Sequence, residues 1–320
     1  MLATIGLVAA GIYFSTSNTL AALICFFAAV WLLPLKMNRY NLTVKSIAAI
    51  ILFLLIAKEQ VYHRDNNGLM TVTYIDVGQG DSTLIQFPDG KTMLIDAGTA
   101  DYSATVANTL KENHIHTIDY LVGTHPHSDH IGGMPAIISQ FNVKEYIQPN
   151  MNGYGLENNY FADKLNTALK QAGIGVITAS YGYEIASGDS WAAEVLSPRE
   201  NAVFEDLNDY SLIIKVTYGK TAFMFTGDAG YTAELELLNE DLSCDVLKVG
   251  HHGSFGSTCT AFLSETDPSI GVISVGKDNE NNLPNEYVLQ RLTEEGVRIL
   301  RTDESGTIVI QSDGNAIDVN

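Results

Sequence analysis

The segment His125-Pro126-His127-Ser128-Asp129-His130 carries four potential metal ligands within six positions, directly after a predicted buried strand. Side chains alternate between two faces in an extended segment, so His125 and His127 point the same way and can hold one metal ion. Asp129 and His130 come where the chain turns into a predicted helix, and they can turn toward a neighbouring ion. Imidazole and carboxylate ligands together favour zinc, manganese or iron over calcium.

Three further segments place ionisable side chains at the ends of predicted strands. Asp96 ends one strand, Asp228 follows another, and His251-His252 follows a third. Sites in α/β sheets form where strand ends meet loops, and Asp228 is placed to bridge two ions. Each segment alone is also typical of an ordinary strand end. Their occurrence together with the histidine-rich segment predicts a metal site, and the sequence leaves open whether His251 or His252 is the ligand.

Two divalent ions lower the pKa of a water molecule between them, so that hydroxide is available near neutral pH. They also neutralise the charge that develops on phosphoryl oxygens. Ser254 has no third partner that would complete a nucleophilic triad. We therefore expect a metal-dependent hydrolase that uses zinc or manganese and a metal-bound hydroxide, with Asp129, His251 and His252 as the catalytic residues.

The charge of the chain is unevenly distributed. Residues 1–64 contain five of the 18 basic residues and one of the 37 acidic residues, which leaves 13 basic and 36 acidic residues in 65–320. A domain with this surplus of acidic residues repels polyanions unless metal ions or a local basic strip offset it. The composition therefore does not indicate a nucleic-acid-binding groove.

The first 64 residues are much more apolar than the rest. Three apolar runs cover residues 2–14, 19–35 and 42–57, and a membrane-crossing helix needs about 20 apolar residues, with a range of about 17–25. We predict a membrane anchor of two or three helices over 1–64 and a hydrolase domain over 65–320. The stretch 36–45 carries three basic residues, so the positive-inside rule places it in the cytoplasm and the hydrolase domain outside the cell membrane.

From residue 70 onward, predicted strands alternate with predicted helices, which indicates an α/β fold. The predicted strands cover 70–76, 82–87, 91–97, 118–123, 192–196, 211–216, 221–226, 245–249, 269–274, 298–301, 306–311 and 316–319. The predicted helices cover 105–113, 132–140, 160–172, 231–238, 260–264 and 286–295.

These motifs resemble those of the metallo-β-lactamase superfamily and, within it, the C-terminal domain of the ComEC competence proteins. The similarity covers about residues 70–312. The segments that carry it, in chain order, are Tyr74-Ile75-Asp76-Val77-Gly78-Gln79-Gly80-Asp81, the histidine-rich segment, Asn208-Asp209-Tyr210-Ser211, Thr226-Gly227-Asp228 and His251-His252-Gly253-Ser254.

The resemblance implies a four-layer αββα sandwich with a two-metal centre. It assigns His125 and His127 to the first ion, Asp129 and His130 to the second, and Asp228 to both, and we add His251 as a candidate ligand. The supporting residues that we expect around this centre are Asp76, Asp81, Asp96, Asn208 and Ser254. The resemblance also suggests a phosphodiester substrate, with DNA as one candidate, and a link to DNA uptake.

Two departures from the family pattern concern the metal centre. No histidine occurs between His130 and His251, where the superfamily usually has a further ligand, and Asn208 stands in that region. The histidine that ComEC-like sequences carry near the C-terminus is absent from the stretch that ends in Leu283-Pro284. The sequence therefore leaves two alternatives, a non-catalytic module that docks to a membrane protein and a thioesterase or lactamase.

Overall fold

The computed structural model describes residues 68–151 and 159–320. The strands are β1 (Met70–Tyr74), β2 (Thr83–Gln86), β3 (Thr92–Ile95), β4 (Thr117–Val122), β5 (Asn142–Pro149), β6 (Gly175–Ala179), β7 (Glu184–Ser187), β8 (Trp191–Ser197), β9 (Ile213–Tyr218), β10 (Thr221–Phe225), β11 (Val246–Lys248), β12 (Ile270–Ile273), β13 (Arg298–Arg301), β14 (Ile308–Ser312) and β15 (Ile317–Val319). The predicted membrane helices over 2–14, 19–35 and 42–57 lie outside the described residues.

Eight α-helices connect these strands within the described ranges. They are α1 (Ser103–Glu112), α2 (Ser128–Ile131), α3 (Met134–Gln140), α4 (Tyr160–Ala172), α5 (Tyr231–Leu235), α6 (Thr260–Thr266), α7 (Glu286–Glu294) and α8 (Thr302–Ser305). Short 3₁₀ helices cover Ala100–Tyr102, Leu207–Tyr210 and Gly250–Gly253. None of the helices in 68–151 and 159–320 has the length and apolar character that a membrane crossing requires.

The strands form two sheets. The first has eight strands in the order β15-β14-β1-β2-β3-β4-β5-β6, and the second has seven in the order β13-β12-β11-β10-β9-β8-β7. Pairing is parallel between β3 and β4 in the first sheet, and between β10, β11 and β12 in the second. The carboxyl ends of these neighbouring strands therefore open onto shared edges, where loops can bring side chains together.

Three apolar clusters separate four layers. One lies between the sheets and includes Val72, Ile214 and Phe225. A second contains residues of α1, α3 and α4 together with alternate residues of the first sheet, and a third joins α5, α6 and α7 to the second sheet. The four-layer αββα sandwich expected from the sequence is confirmed for the described residues.

The sequence analysis predicted no strand between 123 and 192 and missed β5, β6 and β7. The strand β5 is an interior strand in which buried and exposed residues do not alternate regularly. The strand β6 is an edge strand that buries only Ala179 fully. The strand β7 has four residues, and its pairing with β8 is irregular between Glu184 and Ala186. Edge and irregular strands lack the alternating burial that makes a strand recognisable. The helix predicted over 231–238 is also shorter, ending at Leu235.

Candidate metal centre

The loop after β4 holds the two leading histidines close together. His125 Nε2 lies 2.9 Å from His127 Nδ1, as expected for alternate residues of an extended segment. His125 is 1% exposed, and its Nδ1 atom lies 3.2 Å from Ser211 Oγ. One nitrogen of each ring is therefore close enough to the other to share a single metal ion, since zinc–nitrogen bonds are about 2.0–2.1 Å long.

His130, in the short helix α2, is oriented by the carboxylate that ends β3. Asp96 is fully buried and has a positive φ of 58°. Its carboxylate accepts hydrogen bonds from the backbone N–H and the hydroxyl of Thr124, and it lies 2.7 Å from His130 Nδ1. An ionised carboxylate only accepts, so Nδ1 of His130 carries hydrogen and Nε2 is left with a lone pair in the neutral ring.

His252 is oriented in the same way from the second sheet. The 3₁₀ helix after β11 places His251, His252 and Gly253 at consecutive positive φ values. His252 Nδ1 lies 2.9 Å from the carbonyl oxygen of Ser274, which accepts but cannot donate. The Nε2 atom of His252 consequently faces the site, 3.4 Å from Asp129 Oδ2 and 3.5 Å from Asp228 Oδ2.

Asp228, which follows β10, lies at the centre of the cluster and is 2% exposed. Its Oδ1 atom is 3.2 Å from His130 Nε2, and its Oδ2 atom is 4.0 Å from His125 Nε2 and 3.6 Å from His251 Nε2. A carboxylate with its two oxygens toward different histidines has the arrangement that a bridging ligand requires.

The donor set fits divalent metal ions. Atoms of four residues lie within 4.8 Å of one another, namely those of Asp129, His130, Asp228 and His252. Among the described residues, His130 Nε2, Asp228 Oδ1 and His252 Nε2 are buried without a hydrogen-bond partner. An unpaired buried polar group costs about 1–3 kcal/mol, so these converging atoms are best satisfied by a cation between them. Imidazole nitrogen and carboxylate oxygen suit zinc and manganese.

The pKa values of the buried histidines differ because their carboxylate neighbours differ. Burial lowers the pKa of His125 well below its ordinary value, and His130 lowers it further. Burial alone would also lower the pKa of His130, but Asp228 and Asp96 raise it well above its ordinary value. For His252, Asp228 and Asp81 outweigh burial and raise the pKa to about 10. The centre thus attracts positive charge on the side of Asp228.

His251 stands apart from the buried cluster because a third of its side chain is exposed, whereas that of His252 is 2% exposed. The sequence analysis included His251 among the metal ligands and left the choice between the two open. The structure brings His252 into the group of four converging ligand atoms and leaves His251 at its solvent-facing edge.

The segment 208–211 is hydrogen-bonded to the loop that carries Asp228. Ser211 Oγ accepts a hydrogen bond from the backbone N–H of Asp228, and the carboxylate of Asp209 accepts one from Gly230. The Oδ1 atom of Asn208 is buried without a hydrogen-bond partner among the described residues. The segment is thus tied on both sides to the loop that carries Asp228.

The remaining predicted supporting residues have different surroundings. Asp76 accepts a hydrogen bond from the backbone N–H of Gly78, which is the role of a turn residue. The backbone N–H of Ser254 donates to His251 O and closes the histidine turn. Asp81 lies behind His252, outside the group of four ligand atoms, with Oδ1 3.3 Å from His252 Nδ1.

The sequence analysis missed two buried charged residues, one next to Asp81 and one behind the loop that follows the histidine turn. Lys248, the last residue of β11, is 2% exposed and places its ammonium 2.7 Å from Asp81. Glu234 in α5 is fully buried and accepts hydrogen bonds from the backbone N–H groups of Thr258 and Cys259, in the loop after the histidine turn. The sequence could have indicated that Lys248 is buried, because it is the one charged residue in the apolar run 246–249. The short helix α5 has no comparable pattern that would have indicated the burial of Glu234.

The segment that ends in Leu283-Pro284 lies against the histidine turn. The backbone N–H of Asn285 donates to Gly253 O, and a Cβ atom on Gly253 would come within 2.6 Å of Pro284. Leu283 is half-buried and packs against the third apolar cluster. The position where ComEC-like sequences carry histidine is thus a packing position next to the centre in this chain.

Residues 75–277 match the family model described as the metallo-β-lactamase superfamily. Three curated relatives also match. ComE operon protein 3 of Bacillus subtilis is 31% identical over 256 residues, which cover 74% of this chain and 32% of that protein. Recombination protein 2 of Haemophilus influenzae is 30% identical over 247 residues (74% and 28%), and competence protein ComA of Neisseria gonorrhoeae is 30% identical over 241 residues (74% and 31%).

The resemblance to ComEC-type competence proteins is confirmed by these relatives, and the chain spans about a third of their length. Two solved structures share the fold. A variant of the β-hydroxylase CmlA has a TM-score of 0.53 at 14% identity, covering 76% of this chain and 54% of that one. The metallo-β-lactamase fold protein YhfI of Bacillus subtilis has a TM-score of 0.51 at 13% identity, covering 76% and 99%.

Proposed function

Since the chain belongs to the metallo-β-lactamase superfamily, we propose that it is a two-metal hydrolase that cleaves phosphodiesters with water as the nucleophile. The observation that carries the proposal is the convergence of buried, unpaired ligand atoms on Asp228. His130 Nε2 and His252 Nε2 lie 3.2 Å and 3.5 Å from its two oxygens, and both rings hold hydrogen on the opposite nitrogen.

Two groups of side chains would hold the ions. His125 Nε2 and His127 Nδ1 form the first group with Asp228. Asn208 is a candidate for a further ligand, because its Oδ1 atom is buried without a hydrogen-bond partner among the described residues. The second group consists of Asp129, His130, Asp228 and His252. This assignment replaces His251 by His252 in the ligand set.

When bound, two divalent ions activate a water molecule and neutralise charge on the phosphoryl oxygens. The chain itself contributes orientation, because Asp96 and Ser274 fix the tautomers of His130 and His252. His251 Nε2 lies 3.6 Å from Asp228 on a partly exposed ring, so it is placed to donate a proton to the leaving oxygen of a substrate.

The substrate class is proposed from the competence-type relatives and from charge. Those relatives suggest DNA or another phosphodiester, and a role linked to DNA uptake is part of the proposal. The 13 basic residues of 65–320 face 36 acidic residues, which favours short or small phosphodiesters over long duplex DNA. Two of these basic residues are also engaged within the domain, since Arg301 pairs with Asp303 and Arg291 donates to a backbone carbonyl.

The cellular setting belongs to the proposal as well. We propose that residues 1–64 anchor the chain in the cell membrane, that 65–320 form the hydrolase domain on the extracellular side, and that a membrane protein is its partner. The support is the three apolar runs and the basic stretch 36–45.

The proposal is tested with the full chain after metal removal by a chelator. Hydrolysis of bis(p-nitrophenyl) phosphate should be absent, and it should return on addition of Zn²⁺ or Mn²⁺. Nitrocefin and a p-nitrophenyl thioester serve as parallel substrates for the lactamase and thioesterase alternatives. Preferred turnover of either parallel substrate would contradict the phosphodiesterase assignment, and a chain that neither binds metal nor hydrolyses any of the three would support the non-catalytic docking module.

A further inference from the structure

A buried lysine lies behind the metal centre. Lys248 is 2% exposed, and its Nζ atom lies 2.7 Å from Asp81 Oδ2 and 3.0 Å from the carbonyl oxygen of Val249. These two contacts hold the ammonium between β11 and the segment 76–81. The cost of removing both charges from water offsets most of the attraction in such a pair, so stability alone does not account for a lysine at this position.

Asp81 connects this lysine to His252. Its second oxygen, Oδ1, lies 3.3 Å from His252 Nδ1, on the side of the ring opposite to the atoms that face Asp129 and Asp228. The backbone of Asp81 is fixed independently, because its N–H donates to Asp129 O and its carbonyl accepts from Gly98. The remaining freedom is rotation of the carboxylate, and the bond to Lys248 restricts it.

A carboxylate behind a metal-binding histidine fixes the ring and strengthens its other nitrogen as a ligand. The hydrogen bond of His252 Nδ1 goes to Ser274 O, and Asp81 Oδ1 lies 3.3 Å from the same nitrogen, buried without a hydrogen-bond partner among the described residues. We propose that Lys248 is a positioning residue of the metal centre, which acts through Asp81 to hold His252 with Nε2 toward Asp129 and Asp228. This inference rests on the proposed two-metal function.

The test measures metal binding by the full chain, with Mn²⁺ titrated into chelator-treated protein. Lys248→Met alone leaves the buried Asp81 carboxylate without its ammonium partner and can fail to fold, so the main variant is Lys248→Met/Asp81→Leu, which removes both charges. The matched control is Lys215→Met, which breaks the separate ion pair between Lys215 and Asp241. Folding is followed by the thermal midpoint, and the ligand geometry by the ligand-field absorption of the Co²⁺-loaded protein.

We expect the double variant to fold and to bind one of its two ions about 10–100-fold more weakly, the range for loss of a partner behind a ligand. The other ion should bind as in the wild type, the Co²⁺ absorption should change, and Lys215→Met should alter neither. A folded double variant with wild-type affinity for both ions would overturn the inference, and so would equal weakening of both. A wild-type chain that binds no metal would instead contradict the proposed function itself.

Discussion

The Nε2 atom of His130 lies 3.2 Å from Asp228 Oδ1, and neither atom has a hydrogen-bond partner among the described residues. Because His130 Nδ1 already faces the carboxylate of Asp96 at 2.7 Å, the neutral ring turns a lone pair toward a second carboxylate. Two acceptors at this separation require a cation or a proton between them. This relationship between residues of the two sheets is the physical basis for the metal centre.

The two adjacent histidines should differ in effect when each is replaced by alanine. His252→Ala should lose one ion, because the buried ring belongs to the group of four ligand atoms. His251→Ala should keep both ions and lose about 10²–10⁴-fold in turnover of a dinucleotide, the range for a missing general acid. Metal analysis and turnover of both variants check this.

The leaving group provides the control for His251. p-Nitrophenolate leaves without a proton, so His251→Ala should affect bis(p-nitrophenyl) phosphate much less than a dinucleotide. Loss of an ion in His251→Ala, or equal losses on the two substrates, would show that His251 is a ligand and not a proton donor.

Glu234 should make stability depend on pH. Burial raises its pKa to about 7, although hydrogen bonds from the backbone of Cys259 and Thr258 oppose the shift. The folded state then binds more protons than the unfolded state between the unfolded value of 4.5 and about 7. The stabilisation is therefore complete below pH 4.5 and is lost as pH rises through 7, a change of about 3 kcal/mol.

The check is the free energy of unfolding of wild type and Glu234→Gln, measured across this pH range with the metal concentration held fixed. The difference between the two proteins should shift in favour of Glu234→Gln as pH rises, since glutamine does not ionise. A difference that is constant from pH 4.5 to 8 would contradict the assignment.

Turnover should not increase with the length of the substrate, because the surface attracts polyanions weakly. Phosphate contacts by lysine and arginine make the affinity fall as salt rises, and the domain has few basic side chains to make them. We expect a dinucleotide to be hydrolysed at least as well as a long single strand at physiological salt, with a KM that depends weakly on salt. A tenfold preference for the long strand, about 1.4 kcal/mol, would indicate a basic strip and a true nuclease.

The proposed membrane topology rests on charge. Because the stretch 36–45 carries three basic residues, we propose that it lies in the cytoplasm and that the chain leaves the membrane on the outer side before residue 65. Protease added to intact cells should release a fragment that begins near Asn66. Protection in intact cells with cleavage only after lysis would reverse the orientation.

The α/β class could be predicted from the alternation of strands and helices, whereas the four-layer sandwich was expected from the resemblance to the superfamily. Alternation over the histidine-rich segment predicted that His125 and His127 face the same way, and their ring nitrogens lie 2.9 Å apart. Strand ends rich in ionisable residues predicted that Asp96 and Asp228 belong to one site, although the two residues follow strands of different sheets, β3 and β10. Both patterns extend over only a few consecutive residues of the sequence.

The choice between His251 and His252 could not be made in this way. Both residues adopt positive φ, outside the strand and helix periods on which sequence patterns depend. The role of Lys248 depends on Asp81, which is 167 positions away along the chain and is brought near only by the packing of the two sheets. Contacts of this kind have no local signature.

The most direct measurement is the number of metal ions bound per chain by wild type and by Asp228→Ala, together with their turnover of bis(p-nitrophenyl) phosphate. Asp241→Ala, at an exposed carboxylate that pairs with Lys215 and accepts hydrogen bonds from Ser243, is the control for general effects of the substitution. We predict two ions and activity for wild type and for Asp241→Ala. Asp228→Ala should lose both ions and most of the activity, because Asp228 faces both groups of ligands. Two ions and full activity in Asp228→Ala would contradict the two-metal centre.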